Sequence, residues 1–209
     1  MKRRILTAGA VMLGVILLLV GVVCILEHIR DLNTVDETKG DDPIYFYTPD
    51  PDANILEDED YLGLDRRIYV TRGGETTPVT DENVSSHGPA VQTLQTMIDS
   101  LIAGDNEAYN ALFSRHYYAT EGNEPKEAFT MQRVYGIELE IVRQVTQTDS
   151  QTGKIYTQYD VIVNYRIARN DGTFRRDIGS DESREQYYVL SDSTGDEVLI
   201  DQILNYNYQ

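Results

Sequence analysis

The chain has 209 residues, room for one ordinary domain with attachments, and its formal net charge at pH 7 is −17. This acidity excludes a nucleic-acid binder, because few cations are available to neutralise phosphates, and it argues against a domain lying on an anionic membrane. Three histidines and one cysteine, Cys24, are too few and too scattered for a metal cluster or an internal disulfide. We therefore predict no metal site and no cofactor.

The N-terminus predicts attachment to a membrane. Lys2, Arg3 and Arg4 precede residues 5–26, which carry no charge and are long enough to cross roughly 30 Å of hydrocarbon as a helix. No small-residue cleavage site follows, so an uncleaved signal anchor is favoured over a signal peptide. The basic cluster places residues 1–4 in the cytoplasm. A single-pass protein of the cell membrane with an extracytoplasmic C-terminal domain is expected.

Residues 27–88 are acidic and interrupted by proline, and they show no helical or strand period. Such a segment buries too little apolar surface to offset its ordering entropy, so it is predicted to be a mostly disordered stalk. Two short apolar stretches stand out, residues 44–47 and residues 67–70. Each is either an edge strand of the folded domain or a docking motif for a partner protein.

The folded domain is predicted to span residues 89–209 and to begin with helices. Pro89 suits the first turn of a helix, and an apolar stripe follows at steps of three and four residues. Gly104 ends this helix and Asp105 caps a second one. A third helical piece is expected after Pro125, running to Gly136. The apolar stripe of the first helix is Val91, Leu94, Met97, Ile98, Leu101 and Ile102.

The pattern then changes to the alternation typical of strands. Asn170-Asp171-Gly172 is a strong hairpin signal, so residues 173–178 are expected to fold back on the preceding strand. Residues 186–190 and 198–204 complete the sheet. The fold class predicted is α+β, with helices packed on one face of a curved antiparallel sheet. The clearest alternating face is Tyr159, Val161, Val163, Tyr165 and Ile167.

The predicted helix is broken at residues 103–105, Tyr109 and residues 112–114 follow it, and long strands come after them. In these features, residues 89–204 resemble the nuclear transport factor 2-like superfamily. The resemblance implies a cone-shaped domain with a pocket between the helices and the concave face of the sheet. Enzymes of that superfamily, such as ketosteroid isomerase and polyketide cyclases, hold an aspartate or histidine acid-base there. An anchor before such a domain also resembles the bitopic scaffold subunits of bacterial secretion and conjugation machines.

Candidate site residues follow from this layout. His116 is a weak catalytic candidate near the expected pocket mouth, whereas Asp160 and Asn164 are expected to point to solvent on the other side of the sheet. Nucleophile and phosphate-loop motifs are absent from the sequence. Tyrosines are numerous and form either packed core or a surface for a ligand or partner. The tyrosines proposed for that surface are Tyr109, Tyr117, Tyr118, Tyr165 and Tyr188.

The function predicted is a non-enzymatic, membrane-anchored binding or assembly module with extracytoplasmic protein partners, as in a cell-envelope, secretion or conjugation complex. The alternative is a small-molecule-binding protein or an isomerase- or cyclase-like enzyme that uses the cone pocket. An enzyme needs an open pocket with an ionisable group directed into it, so the structure of the pocket bears on the choice.

Overall fold

The computed structural model describes residues 43–205. A compact unit begins at Ile44 and contains nearly all of them. The predicted cytoplasmic end, the predicted anchor at 5–26, the first part of the stalk and the residues after 205 lie outside the described residues. Within residues 43–205, no helix combines the length and the apolar composition that crossing a bilayer requires.

The described chain is an α+β unit with few helices and a curved sheet. Its first element is a 3₁₀ turn at Ile55–Glu57. The helices are α1 (Glu59–Leu62), α2 (Val84–His87), α3 (Pro89–Ala103), α4 (Asn106–Ala111) and α5 (Arg115–Ala119). The strands are β1 (Ile68–Arg72), β2 (Glu75–Val79), β3 (Arg133–Thr148), β4 (Ile155–Ala168), β5 (Gln186–Ser191) and β6 (Leu199–Asn205).

The sheet is mixed, and the prediction of a purely antiparallel sheet is wrong in this respect. The strand order is β2-β1-β3-β4-β5-β6, and β1 runs parallel to β3 while the other neighbours are antiparallel. Parallel neighbours need a long connection. Residues 80–132, which contain α2 to α5, supply it between β2 and β3.

The folded unit starts earlier than the sequence predicts, because residues 44–88 contribute to it. Ile68 and Val70 are buried on the core face of β1, and Val79 at the end of β2 is buried beside them. For residues 67–70 the structure therefore shows the strand, one of the two alternatives left open by the sequence. Residues 44–47 form no strand and are exposed, although the Tyr47 amide donates to the Asn170 carbonyl.

Helix α3 and the break after it match the prediction. Gly104 ends α3 with φ +69°, in the left-handed region that favours glycine, and the Asp105 side chain caps α4 by accepting from the Ala108 amide. A Cβ at Gly104 would lie 2.9 Å from the Met131 backbone nitrogen. The helix breaks here because the chain that leads into β3 lies directly against the turn.

The third helix predicted after Pro125 is wrong. Residues 121–132 form no helix, and the chain enters β3 at Arg133. The helix that exists is α5, which starts earlier and is capped by the Ser114 side chain. The segment after Pro125 is held by tertiary contacts: the Lys126 amide donates to Asn110 Oδ1, and Phe129 is buried in the core.

The hairpin predicted at residues 170–172 is also wrong, because residues 173–178 form no strand and β4 pairs with β5 instead. Asn170 is fully buried and uses its side chain to shape a loop. Its Nδ2 donates to the carbonyls of Arg175 and Ile178, and its Oδ1 accepts from the Gly172 amide. A side chain bonded in this way stabilises an Asx turn in place of a two-residue hairpin.

Strand β4 has the predicted alternation. Its buried face, centred on the fully buried Val161 and Val163, joins the α3 stripe in one core cluster. Burying such a side chain stabilises the fold by about 1.5–3 kcal/mol. The opposite face departs from the prediction at Asp160, whose side chain is 2% exposed and accepts from Arg143 Nε at 2.5 Å and from Gln158 Nε2 at 2.7 Å.

Candidate functional site

A cavity of about 500 Å³ lies among α4, α5, the buried face of β4 and β5, and the 169–185 loop. Four of the five predicted surface tyrosines line it: Tyr109, Tyr117, Tyr165 and Tyr188. Ile203 of β6 and Phe174 of the loop add apolar surface. We call this space the tyrosine cavity. Its volume is within the range of small-molecule sites.

Tyr109 is the centre of the aromatic packing beneath the cavity. Its ring contacts Phe113, Phe129 and Phe174, with centroids 5.0, 5.9 and 5.3 Å away. Tyr109 is 4% exposed, and its side chain also lines the cavity. Tyr109 is therefore a core residue that also forms part of the cavity wall.

The other tyrosines divide between the cavity and its support. Tyr117 packs on Phe113, with ring centroids 4.5 Å apart, and lines the cavity. Tyr118 does not line it. Its ring packs on Tyr117 and its hydroxyl donates to the Asn110 carbonyl at 2.8 Å. Tyr118 is therefore a supporting residue.

Burial raises the pKa of Tyr109 and Tyr188 well above the ordinary tyrosine value. It also raises the pKa of Tyr165 and Tyr117. All four hydroxyls are thus protonated at neutral pH and can donate hydrogen bonds.

Arg175 is the most buried charge at the cavity, at 5% exposure. Its Nε and Nη2 donate to Oδ1 and Oδ2 of Asp177 at 2.9 and 2.6 Å, and Nη1 donates to Gln186 Oε1 at 3.3 Å. The guanidinium lies over the Tyr165 ring, 5.5 Å from its centroid. Burial alone would lower the pKa of Arg175, but the bonds and charge of Asp177 raise it, so the group stays cationic.

Three further cations line the cavity. Arg184 Nη1 approaches Asp177 Oδ2 at 3.4 Å, Arg176 Nε donates to the Gly172 carbonyl at 3.0 Å, and Lys126 Nζ donates to the Phe174 carbonyl at 3.2 Å. Desolvation against Phe174 lowers the pKa of Lys126, while Asp177 opposes that shift. Four cations thus face one carboxylate, although the whole chain has nearly twice as many acidic as basic residues.

Asp177 is the single carboxylate among the described cavity residues. The hydrogen bond from Arg175 lowers its pKa most, against a smaller opposing effect of burial. An ionised carboxylate in contact with two arginines is a poor proton acceptor, because taking up a proton would break both ion pairs. Its role is to orient Arg175.

His116, the weak catalytic candidate, is exposed on α5 and does not line the cavity. Asp160 and Asn164 also lie away from it, on the opposite face of β4. Among residues 43–205, no three histidine, cysteine, aspartate or glutamate side chains are grouped closely enough to hold a metal ion.

That opposite face of the sheet has a groove of its own, about 530 Å³ in volume. We call it the acidic groove. Its charged lining consists of Asp65, Glu138, Glu140 and Glu185, and Asn164 lies among them. Asp65 is bonded to Arg67 and Tyr69. The linings of the acidic groove and of the tyrosine cavity therefore differ in the sign of their charge.

Comparison of the chain with protein-family models, with curated proteins and with solved structures gave no match. The cationic lining is the feature that sequence reasoning missed. Arg175 and Arg176 are recognisable as a basic pair with neighbouring acids, but Lys126 and Arg184 join them only through the conformation of two loops.

Proposed function

We propose that the protein is a non-enzymatic binding module that takes its ligand in the tyrosine cavity. One observation carries this proposal: an open cavity holds four tyrosines and four cations, and its carboxylate is held in ion pairs. Aromatic walls with a few convergent charged groups are typical of ligand sites. The open cavity favours a ligand-binding domain over a scaffold domain whose cavity is filled by its own side chains.

The lining of the cavity supports binding more than acid-base catalysis. A general base must be free to accept a proton within reach of the substrate. Asp177 is bound to Arg175 and Arg184, and His116 lies outside the cavity. Neither residue supports the isomerase- or cyclase-like alternative, which needs an acid-base group inside the cavity.

The place of action is proposed from the sequence. Residues 5–26 would anchor the module to the cell membrane, and the basic residues before them favour an extracytoplasmic domain. Tethering raises the effective concentration near membrane partners, so a modest affinity suffices. Kinship with the nuclear transport factor 2-like superfamily remains a proposal, supported by helices that precede most of a curved sheet and by a cavity between them.

Photo-crosslinking of the full-length protein in its native membrane tests the proposal. Tyr117 is replaced by p-benzoylphenylalanine, which places the reactive group in the cavity. The matched control carries the same group at Tyr45, which is 80% exposed and would collide with bystander molecules more often. Adducts are identified by mass spectrometry.

We expect a discrete adduct from the Tyr117 position that the Tyr45 position does not give. A small molecule in that adduct supports a ligand-binding role, and a cell-envelope protein supports the assembly form of the role. The same adducts from both positions, or none from Tyr117, would contradict the proposal.

A further inference from the structure

We propose that the occupant of the tyrosine cavity is a small organic anion with an apolar body, whose oxyanion head group binds Arg175, Arg176 and Arg184. This inference rests on the proposed function, because it names the chemical class of the ligand that the cavity takes.

The charge of the cavity is the first argument. The chain carries 35 acidic and 18 basic residues, yet four of the basic ones meet at one cavity with a single carboxylate. Of these cations, Arg176 and Lys126 donate to backbone carbonyls and form no ion pair with any described carboxylate. Cations gathered at one cavity repel one another, so an added anion that contacts several of them stabilises the group.

Arg175 is held ready for a head group. Its contacts with Asp177 and the Tyr165 ring fix the plane of the guanidinium. A guanidinium has five N–H donors; three donate to Asp177 and Gln186, and the group also hydrogen-bonds the Tyr165 side chain. The donor that remains, together with those of the exposed Arg176 and Arg184, suits the oxygens of a carboxylate or a phosphate.

The apolar walls and the volume of the cavity suit a ligand larger than an inorganic ion. Tyr109, Phe174 and Ile203 give the cavity an apolar side, and the rings of Tyr109 and Phe174 meet edge to face at 5.3 Å. A volume of about 500 Å³ far exceeds that of a bare oxyanion. A ligand with an acid at one end and an aromatic or acyl body at the other satisfies both parts.

Isothermal titration calorimetry on the full chain in phosphatidylcholine nanodiscs tests this class. The probes are naphthoate and naphthamide, which share a body and differ in charge, together with inorganic phosphate. We expect naphthoate to bind at least about tenfold more tightly than naphthamide. We expect phosphate to bind more weakly than naphthoate, because it lacks the apolar body.

Two single substitutions test whether the preference for naphthoate over naphthamide arises in the cavity. Arg176→Gln and Arg184→Gln change exposed side chains, and each should weaken naphthoate binding about three- to tenfold while leaving naphthamide unchanged. The matched control is Arg115→Gln, an exposed arginine on the neighbouring α5 that does not line the cavity. It should leave both affinities unchanged.

A competition arm identifies the source of the anion. Displacement of naphthoate by short-chain phosphatidylglycerol, but not by short-chain phosphatidylcholine, points to a lipid head group. Displacement by water-soluble carboxylates alone points to a free organic acid. Both results support the shared chemistry of an oxyanion head on an apolar body.

Equal affinity for naphthoate and naphthamide would overturn the anionic class and leave the cavity as a binding site. Absence of naphthoate binding combined with a specific crosslink at Tyr117 would also overturn this inference while sparing the proposed function. Absence of both would remove the proposed function as well. The two proposals therefore fail separately.

Discussion

The two faces of the central sheet differ in charge more than the composition suggests. The acidic groove follows the chain average, whereas the tyrosine cavity reverses it. Both sides also hold an arginine–aspartate pair, but with opposite burial. Arg175 is buried beside a partly exposed Asp177, and Asp160 is buried beneath an exposed Arg143. The net charge of a chain does not predict the charge of a particular cavity, and the tyrosine cavity is distinguished by its departure from the acidic average.

The largest expected effect separates these two pairs. Asp177→Ala should destabilise the protein by about 3 kcal/mol, because it leaves the buried Arg175 without its carboxylate. Asp160→Ala should cost only about 1 kcal/mol, because the exposed Arg143 and the half-buried Gln158, which lose their acceptor, can turn to water. Chemical denaturation of both variants measures the difference. Equal losses of stability would contradict the expectation that a buried arginine without its carboxylate costs more than an exposed one.

A second expected effect separates the apolar wall from the charges. Tyr117→Ala should weaken naphthoate and naphthamide alike, by about tenfold, because both lose the same aromatic contact. Tyr118→Phe is the matched control: it keeps the ring and removes a hydroxyl that bonds to Asn110, outside the cavity. Calorimetry gives both affinities. A loss confined to naphthoate would mean that Tyr117 acts through its hydroxyl and not through its ring.

The pH dependence of stability should report the cavity pair. The pKa of Asp177 is lower in the folded protein than the value of about 4 expected for the unfolded chain. Its contribution is therefore complete above that pH and is lost as the pH falls through the folded pKa. Asp177→Asn should make the fall in Tm below about pH 4 less steep than in the wild type. A fall of unchanged steepness would place the acid sensitivity elsewhere, for example at Asp160.

The smallest effect is expected on the acidic side. Glu138→Gln combined with Glu140→Gln removes two charges from the acidic groove, on the far side of the sheet. Screening over about 10 Å at ordinary ionic strength should limit the change in naphthoate affinity to less than about twofold. Calorimetry at two salt concentrations checks this. A change as large as that of Arg184→Gln would mean that the two faces are not electrostatically separate.

The sequence correctly predicted the elements that have both a regular apolar period and, for a helix, clear end signals. Helix α3 had its stripe, Pro89 and Gly104, and β4 had an uninterrupted alternation. The hairpin at residues 170–172 was wrong because the buried Asn170 bonds within a longer loop. The parallel pairing of β1 with β3 depends on contacts between distant segments, which no local period encodes.

The candidate site was predictable in its aromatic half. Tyr109, Tyr165 and Tyr188 fall on the core-facing sides of elements that the sequence outlines, whereas Tyr117 lies on α5, which the sequence analysis did not predict. The cationic half was not predictable, because Arg184 and Lys126 reach the cavity from loops. Loop conformation here is set by a few side-chain bonds, such as the two between Asn110 and the Lys126 backbone.

Hydrogen–deuterium exchange of the full chain, with and without saturating naphthoate, tests the central claim most directly. We expect slower exchange in α5 and in residues 174–186, which border the tyrosine cavity, and unchanged exchange at residues 138–140 and 162–164 of the acidic groove. Protection confined to the acidic groove, or none at α5 and the 174–186 loop, would contradict the assignment of the tyrosine cavity as the recognition site.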